Sequence, residues 1–169
     1  MYKLVLKLST VFITASAVLI IFPQNSFAAM SSGQIDQIAR KVTVKIEDDN
    51  RSNGSGVIVA KLGSTYFVLT AEHVVKTEQG YTISAPDGKT YPAKYRSMVK
   101  LPNVDLAVVP FSSEENYAIA KIGNSNKVRR GNKTFIAGFP AVTSKYRFTN
   151  GDVVANASSK AVELVDSQP

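Results

Sequence analysis

The sequence contains no cysteine and no tryptophan, and His73 is its single histidine among 169 residues. Without cysteine there is no disulfide framework and no thiolate nucleophile, so stability has to come from a packed core. The usual cysteine- and histidine-rich zinc sites are excluded on the same grounds, and we expect neither a metal nor a cofactor. A phosphate-cradling loop is also missing, because "GSGVIVAK" lacks the Walker spacing and leads into a strand.

The sequence also lacks an apolar run of the length that crosses a bilayer, which is about 20 residues. Its longest run, "LSTVFITASAVLIIF" at 8–22, has 15 residues and follows two lysines. Ser26 and Ala28 then form a small-x-small cleavage pattern. We therefore expect residues 1–28 to be a secretory signal peptide, with an uncleaved anchor as the alternative. The chain would then be exported, to a periplasmic or extracellular location, without a stable membrane span.

Basic residues outnumber acidic ones by 20 to 13, which gives a formal net charge of +7. The densest basic run is "KVRRGNK" at 127–133. This run could bind an anionic cell-wall polymer or a lipid surface, although a solvated loop is the simpler interpretation. We expect no nucleic-acid partner, because such a role does not fit export. The sequence leaves the oligomeric state open.

Much of the chain alternates apolar and polar residues with a period of two, which is typical of strands with one buried face. Two hairpins are indicated, one around "LGS" and one around "PDGK". Six short strands with regular turns predict an all-β barrel, and two later candidates, 134–140 and 146–158, are too few to close a second barrel. The six predicted strands are 42–47, 55–61, 65–71, 81–85, 90–99 and 104–111.

These patterns predict a succession of units behind the expected signal peptide. The first is a short helix or lead-in that Ser31 or Ser32 can cap. The polar, charged stretch after the sixth strand reads as a connection between two barrels. The expected units are a lead-in at 29–41, a first β-barrel at 42–111, an inter-barrel connection at 112–133 and an incomplete second barrel at 134–169.

Four short motifs occur in order along the chain: "GSG" at 54–56, "TAEH" at 70–73, "DLA" at 105–107 and "GFP" at 138–140. Together they resemble the trypsin-like serine proteases, in particular their bacterial, exported, cysteine-free branch. The resemblance covers roughly residues 42–157. It implies a chymotrypsin-like double β-barrel with a complete first barrel and a partial second one. It also implies peptide-bond hydrolysis through an acyl-enzyme.

The resemblance assigns catalytic roles to His73 and Asp105. His73 would be the general base and acid at the rim of the first barrel, and Asp105 would hold the Nδ1 hydrogen and fix the tautomer. The residues suit this chemistry, because a serine hydroxyl is a weak nucleophile that needs a neutral imidazole beside it. A carboxylate at the start of an apolar strand likewise needs a hydrogen-bonding partner if it is buried. Taken alone, each residue would more simply be a structural histidine or a turn aspartate.

The nucleophile of that family, a serine in a Gly-x-Ser-Gly-Gly loop, has no counterpart after Asp105. The backbone N–H groups of that loop would also form the oxyanion hole. We therefore expect a truncated chain: an inactive or incomplete fragment of a trypsin-like serine endopeptidase, with peptide or protein substrates only if it is completed. The alternative is a non-catalytic, protease-like binding module at the cell envelope, in which the open edge of the second barrel recruits a partner strand.

Overall fold

The structure, a computed structural model, describes residues 30–50 and 53–154. The expected signal peptide at 1–28 and the last part of the expected second barrel, 155–169, therefore lie outside the described residues. Within the described ranges, no helix is long and apolar enough to cross a membrane.

The described residues form one α-helix, nine strands and three short 3₁₀ helices. The helix α1 is Ser32–Val42, and the 3₁₀ helices are Glu72–Val75, Tyr95–Ser97 and Ser125–Lys127. The strands are β1 (Thr43–Asp48), β2 (Asn53–Leu62), β3 (Thr65–Thr70), β4 (Gly80–Ser84), β5 (Thr90–Lys94), β6 (Val99–Lys100), β7 (Ala107–Ser112), β8 (Lys133–Gly138) and β9 (Arg147–Asp152).

Helix α1 begins at a capping box. The Ser31 hydroxyl accepts the N–H of Gln34 at 3.3 Å, and the Gln34 side-chain oxygen accepts the N–H of Ser31 at 2.8 Å. Because both donors at the helix start are satisfied reciprocally, Ser31 is the cap of the two serines that the sequence offered. The helix ends where Thr43 pairs with Val57 and the chain enters the first sheet.

The first sheet has seven antiparallel strands in the order β5-β4-β1-β2-β3-β7-β6. Its two edge strands, β5 and β6, are consecutive in the chain and are joined only by residues 95–98. A connection of that length cannot separate the two edges by more than about 18 Å, so the sheet has to curl on itself. This curled sheet is the first barrel, and it confirms the all-β prediction with a chymotrypsin-like arrangement.

The core of the first barrel is formed by every second side chain of its strands. In β3, Tyr66, Val68 and Thr70 are buried and their neighbours are half-buried. Gly56 of β2 faces the same core, and a Cβ built there would lie 2.3 Å from Val68 Cγ1. The second glycine of the "GSG" motif is therefore required by close packing. Fully buried side chains include Val44, Ile46, Ile58, Tyr66, Val68, Val75, Ile83 and Val109.

Two predicted strands of the first barrel are shorter than expected. The predicted strand 90–99 is interrupted by the 3₁₀ helix Tyr95–Ser97, where the Ser97 hydroxyl donates to the Lys94 carbonyl. This break carries the chain from one edge of the sheet to the other, and it turns six predicted strands into seven. The predicted strand 104–111 begins only at Ala107, because residues 101–106 form a loop closed by the Leu101 N–H and the Leu106 carbonyl.

The second sheet contains only β8 and β9 among the described residues. They pair antiparallel from Lys133↔Asp152 to Gly138↔Arg147, and Phe135 stacks on Phe148 with ring centroids 5.5 Å apart. The predicted strand 146–158 thus begins at Arg147. This small sheet is the partial second barrel that the resemblance implied.

The expected inter-barrel connection starts later than residue 112. Ser113 and Tyr117 are buried against the first barrel, and the Ala120 N–H donates to the Ile58 carbonyl at 2.8 Å. The Tyr66 hydroxyl donates to the Glu115 carbonyl and accepts the Tyr117 N–H. The segment up to residue 120 therefore belongs structurally to the first barrel.

Candidate active site

His73 lies just beyond the end of β3, in the 3₁₀ helix Glu72–Val75. The strand that leads to it is held in the core by Thr70, whose hydroxyl donates to the Ser55 carbonyl at 2.7 Å. The helix is held by Val75, which is fully buried. Because both ends of this short segment are fixed, the backbone of His73 has a defined position. Its side chain is 70% exposed and projects into solvent from that position.

Asp105 reaches the same place from the neighbouring strand. β3 and β7 pair antiparallel, and Thr70 lies opposite Ala107. The chain therefore enters β7 beside the point at which it leaves β3. Asp105 precedes Ala107 by two residues and His73 follows Thr70 by three, so the pairing of these two strands is what brings the two side chains together.

The contact between His73 and Asp105 has two points. The Asp105 carboxylate lies with Oδ2 2.6 Å from His73 Nδ1 and accepts the backbone N–H of His73 on Oδ1 at 3.0 Å. An ionised carboxylate can only accept, so the imidazole proton belongs on Nδ1 and Nε2 is left as the acceptor. The backbone contact fixes the carboxylate, and the fixed carboxylate orients the ring.

Asp105 is not buried, and it lies before the apolar strand that the sequence predicts it to begin. Its side chain is 58% exposed, because it lies in the loop before β7 and not in the strand. The hydrogen bond from the His73 side chain, with that from the His73 backbone, lowers the pKa of Asp105 below its ordinary value. The carboxylate is therefore ionised at neutral pH, as a partner for the Nδ1 proton has to be.

A cleft of about 600 Å³ lies beside His73, between the first barrel and the chain that leaves β8. His73 and Ser55 line it from the first barrel, and Phe139 and Ala141 line it from the other side. The Ser55 hydroxyl accepts the Phe139 N–H at 2.6 Å, which ties the two sides together. Sequence reasoning missed this contact, although "GSG" and "GFP" are the two motifs that it joins.

Two described serines, Ser55 and Ser113, have hydroxyl groups that are engaged elsewhere. Ser55 lines the cleft, but its hydroxyl is engaged with the backbone of Phe139. Ser113 is buried and donates to the Tyr91 hydroxyl at 2.9 Å. Ser158, Ser159 and Ser167 lie outside the described residues.

The described residues also contain no group of three or more histidine, cysteine, aspartate or glutamate side chains that could hold a metal ion. The chemistry that the arrangement supports is proton transfer. An oriented imidazole with an accepting Nε2 can remove a proton from a hydroxyl and return it to a leaving group.

A curled antiparallel sheet, a second small sheet and a paired histidine and aspartate at the cleft between them define the chymotrypsin-like class of folds. The family model of the trypsin-like peptidase domain matches residues 54–167 of this chain. The chain belongs to the trypsin-like peptidase family.

Several curated proteins are similar to this chain. The serine protease Do-like HtrA of Bacillus subtilis (strain 168) is 32% identical over 94 residues, which are 56% of this chain and 20% of that protein. The protein of the same name from Lactococcus lactis subsp. lactis (strain IL1403) is 29% identical over 113 residues, 67% of this chain and 27% of that protein. The serine protease Do-like HtrB of Bacillus subtilis (strain 168) is 31% identical over 86 residues, 51% of this chain and 18% of that protein. The chain therefore spans only about a quarter or less of the relatives that it matches.

Proposed function

We propose that this chain carries the proton-transfer half of a trypsin-like serine endopeptidase site. His73 is the general base and acid, and Asp105 orients it. The observation that supports this proposal is the two-point contact between Asp105 and His73 at the edge of the cleft. A structural histidine would not need its Nε2 left free beside a cleft of this size.

In the proposed reaction, Nε2 of His73 takes the proton of a serine hydroxyl as that oxygen attacks the carbonyl carbon of a peptide bond. His73 then gives the proton to the leaving amine, and water hydrolyses the acyl-enzyme by the same transfers in reverse order. Asp105 keeps the Nδ1 proton in place and stabilises the imidazolium that forms. The substrates are extended peptides or proteins of the exported compartment.

The reaction also needs a serine and oxyanion donors, and the 169-residue sequence has no Gly-x-Ser-Gly-Gly segment to supply them. We propose that the chain by itself is catalytically incomplete. Its cleft would become active only when further polypeptide provides the serine loop.

The test is a peptidase assay of the purified 169-residue chain with a fluorogenic peptide, together with labelling by a fluorophosphonate that marks activated serines. We expect neither turnover nor labelling. Turnover that disappears in the His73→Ala variant would contradict the proposed incompleteness. Reading the coding region beyond Pro169 in all three frames for Gly-x-Ser-Gly-Gly is the companion measurement.

A second candidate function is recognition of an extended peptide without hydrolysis. It is favoured by the second sheet, because among the described residues β8 and β9 pair only with each other. Ile136 of β8 is exposed, as are Val142 and Val154 in the segments next to the two strands. Such a sheet can accept a further strand. Peptide binding that survives in both His73→Ala and Asp105→Ala would support this function over the first.

A further inference from the structure

The turn that carries His73 and the loop that carries Asp105 are joined by a second contact. Glu72 precedes His73 in the 3₁₀ helix, and Lys100 precedes the loop 101–106 at the end of β6. Lys100 Nζ lies 3.2 Å from Glu72 Oε1. Glu72 therefore lies in the segment that carries His73, and Lys100 adjoins the loop that carries Asp105.

The backbone of Lys100 is held in place by strand pairing, independently of its ion pair with Glu72. β6 pairs with β7, and Lys100 lies opposite Ala107. The adjacent hydrogen bond from the Leu101 N–H to the Leu106 carbonyl closes the loop that contains Asp105. The position of the Lys100 ammonium is thus tied to the base of the Asp105 loop.

The surroundings of Lys100 also limit where its side chain can go. Its ammonium lies 5.4 Å from the centroid of the Tyr95 ring, and both Lys100 and Glu72 are only about a third exposed, 35% and 36%. Interaction with Tyr95, and then with Glu72, raises the pKa of Lys100 above its ordinary value. A lysine held between an aromatic ring and a carboxylate loses less orientational freedom on pairing than a free surface lysine.

We propose that Glu72 and Lys100 are positioning residues for the His73–Asp105 pair. Their ion pair holds the 3₁₀ helix against the Asp105 loop, so that the imidazole keeps its Nδ1 directed at the carboxylate. Neither residue contacts the reacting atoms. The catalytic meaning of this positioning rests on the proposed function, in which His73 is the general base.

The chain offers a matched control for this pair. Arg96 and Glu78 form another ion pair beside Tyr95, at 3.5 Å, but their side chains are 90% and 67% exposed. Arg96 belongs to the 3₁₀ helix Tyr95–Ser97 and Glu78 to the turn before β4, so neither adjoins His73 or Asp105. Removing this pair changes the surface charge of the same region without touching the segments that carry the site.

The experiment measures the tautomer of His73 by ¹⁵N NMR of the ring nitrogens in the complete chain. The signals are unambiguous because His73 is the single histidine of the sequence. We expect Glu72→Gln and Lys100→Met each to shift the ratio of the Nδ1–H to the Nε2–H tautomer by about two- to fivefold toward Nε2–H, the range of a partly exposed ion pair. Lys100→Arg and the exchanged pair Glu72→Lys with Lys100→Glu should restore the original ratio.

Glu78→Gln and Arg96→Gln should leave the tautomer ratio unchanged. The proposal is overturned if Glu72→Gln and Lys100→Met leave the ratio unchanged in chains whose amide spectra remain folded, or if the control variants shift it equally. If Lys100→Met unfolds, Lys100→Gln takes its place, because it removes the charge and keeps a polar group. The readout needs no catalysis, so turnover by the purified chain that disappears in His73→Ala would overturn the proposed incompleteness and leave this inference standing.

Discussion

The two sheets of this protein are both antiparallel but have very different interiors. The first sheet encloses a cluster of fourteen buried apolar side chains, whereas no residue of β8 or β9 is buried. A two-stranded hairpin is at best marginally stable in water, because its ladder does not offset the entropy of ordering the chain. The comparison shows that the second sheet depends on what it is docked against.

The contacts that dock the second sheet are few and mostly polar. Ser55 binds the backbone of Phe139, and the Tyr146 hydroxyl donates to Asp36 of α1 at 2.8 Å. Arg40 of α1 lies over the Tyr146 ring, 4.0 Å from its centroid. Burial, together with the hydrogen bond to Asp36, raises the pKa of Tyr146 to about 12. Burial opposes ionisation of Asp36, but its bonds from Tyr146 and Arg40 outweigh this and lower its pKa.

The largest expected difference between the sheets comes from removing one aromatic side chain from each. Tyr66 is fully buried and stacks on Phe111, so Tyr66→Ala should lower the free energy of unfolding by about 3–5 kcal/mol. Phe148 is half-buried in the second sheet, and Phe148→Ala should cost about 1 kcal/mol or less. Urea unfolding of both variants checks the contrast. Equal losses would mean that the second sheet has a core of its own.

A glycine in each sheet gives a smaller difference, with opposite signs. Gly56→Ala places a methyl group against Val68 and should destabilise the chain by about 1–3 kcal/mol. At Gly151 the nearest atom to a new Cβ is Thr134 Cγ2 at 3.9 Å, so Gly151→Ala should be neutral or stabilising by up to about 1 kcal/mol. Thermal or urea unfolding measures both variants. A stabilising Gly56→Ala would show that the core around Val68 can relax to accommodate a methyl group.

Weakening the contact between the sheets should cost less than damaging the core of the first sheet. Ser55→Ala removes the acceptor of the Phe139 N–H and should weaken docking by about 1 kcal/mol. Amide exchange should then become about fivefold faster in β8 and β9 and stay unchanged in β3 and β7. Tyr146→Phe, which removes the bond to Asp36, should act in the same direction. Uniform acceleration in both sheets would indicate that they unfold as one unit.

The smallest expected effect is a pH dependence at the His73–Asp105 pair. The pKa of Asp105 is lowered in the folded chain, so its ionised form is favoured by folding. The stability that this contributes is present above the ordinary aspartate pKa of about 3.9 and is lost as the pH falls through the lowered value. Wild type should therefore exceed Asp105→Asn in stability near pH 6, and the difference should shrink as the pH falls below about 3.9. Urea midpoints across this range check the sign, which a constant difference would contradict.

The parts of the fold that the sequence predicts well depend on local patterns. The period of two located the strands of the first barrel. The resemblance carried by "TAEH" and "DLA" predicts that Asp105 holds His73; the structure shows their contact, and their catalytic roles stay predictions. Their two-point contact follows from the β3–β7 register, which burial of one face fixes strongly. Family membership, shown by the match over residues 54–167, was likewise expected from ordered motifs.

The parts that the sequence does not predict depend on distant partners. Residues 95–97 have no turn-forming glycine or proline, and it is the curling of the sheet that makes them a 3₁₀ helix. Tyr117 lies in a polar stretch, and its bond to the Tyr66 hydroxyl and its edge-on contact with the Tyr66 ring show why it packs inward. The Lys100–Glu72 pair depends on strand register in the same way.

The bond from the Ala120 N–H to the Ile58 carbonyl is the point at which the chain leaves the first barrel. Residues 121–130 are all exposed, and the Gly131 N–H already bonds the Val153 carbonyl beside the second sheet. The two sheets are therefore joined by a tether of about ten residues, which gives the second sheet an effective concentration in the millimolar range at the first. At such a concentration, weak docking suffices to keep the cleft formed for most of the time.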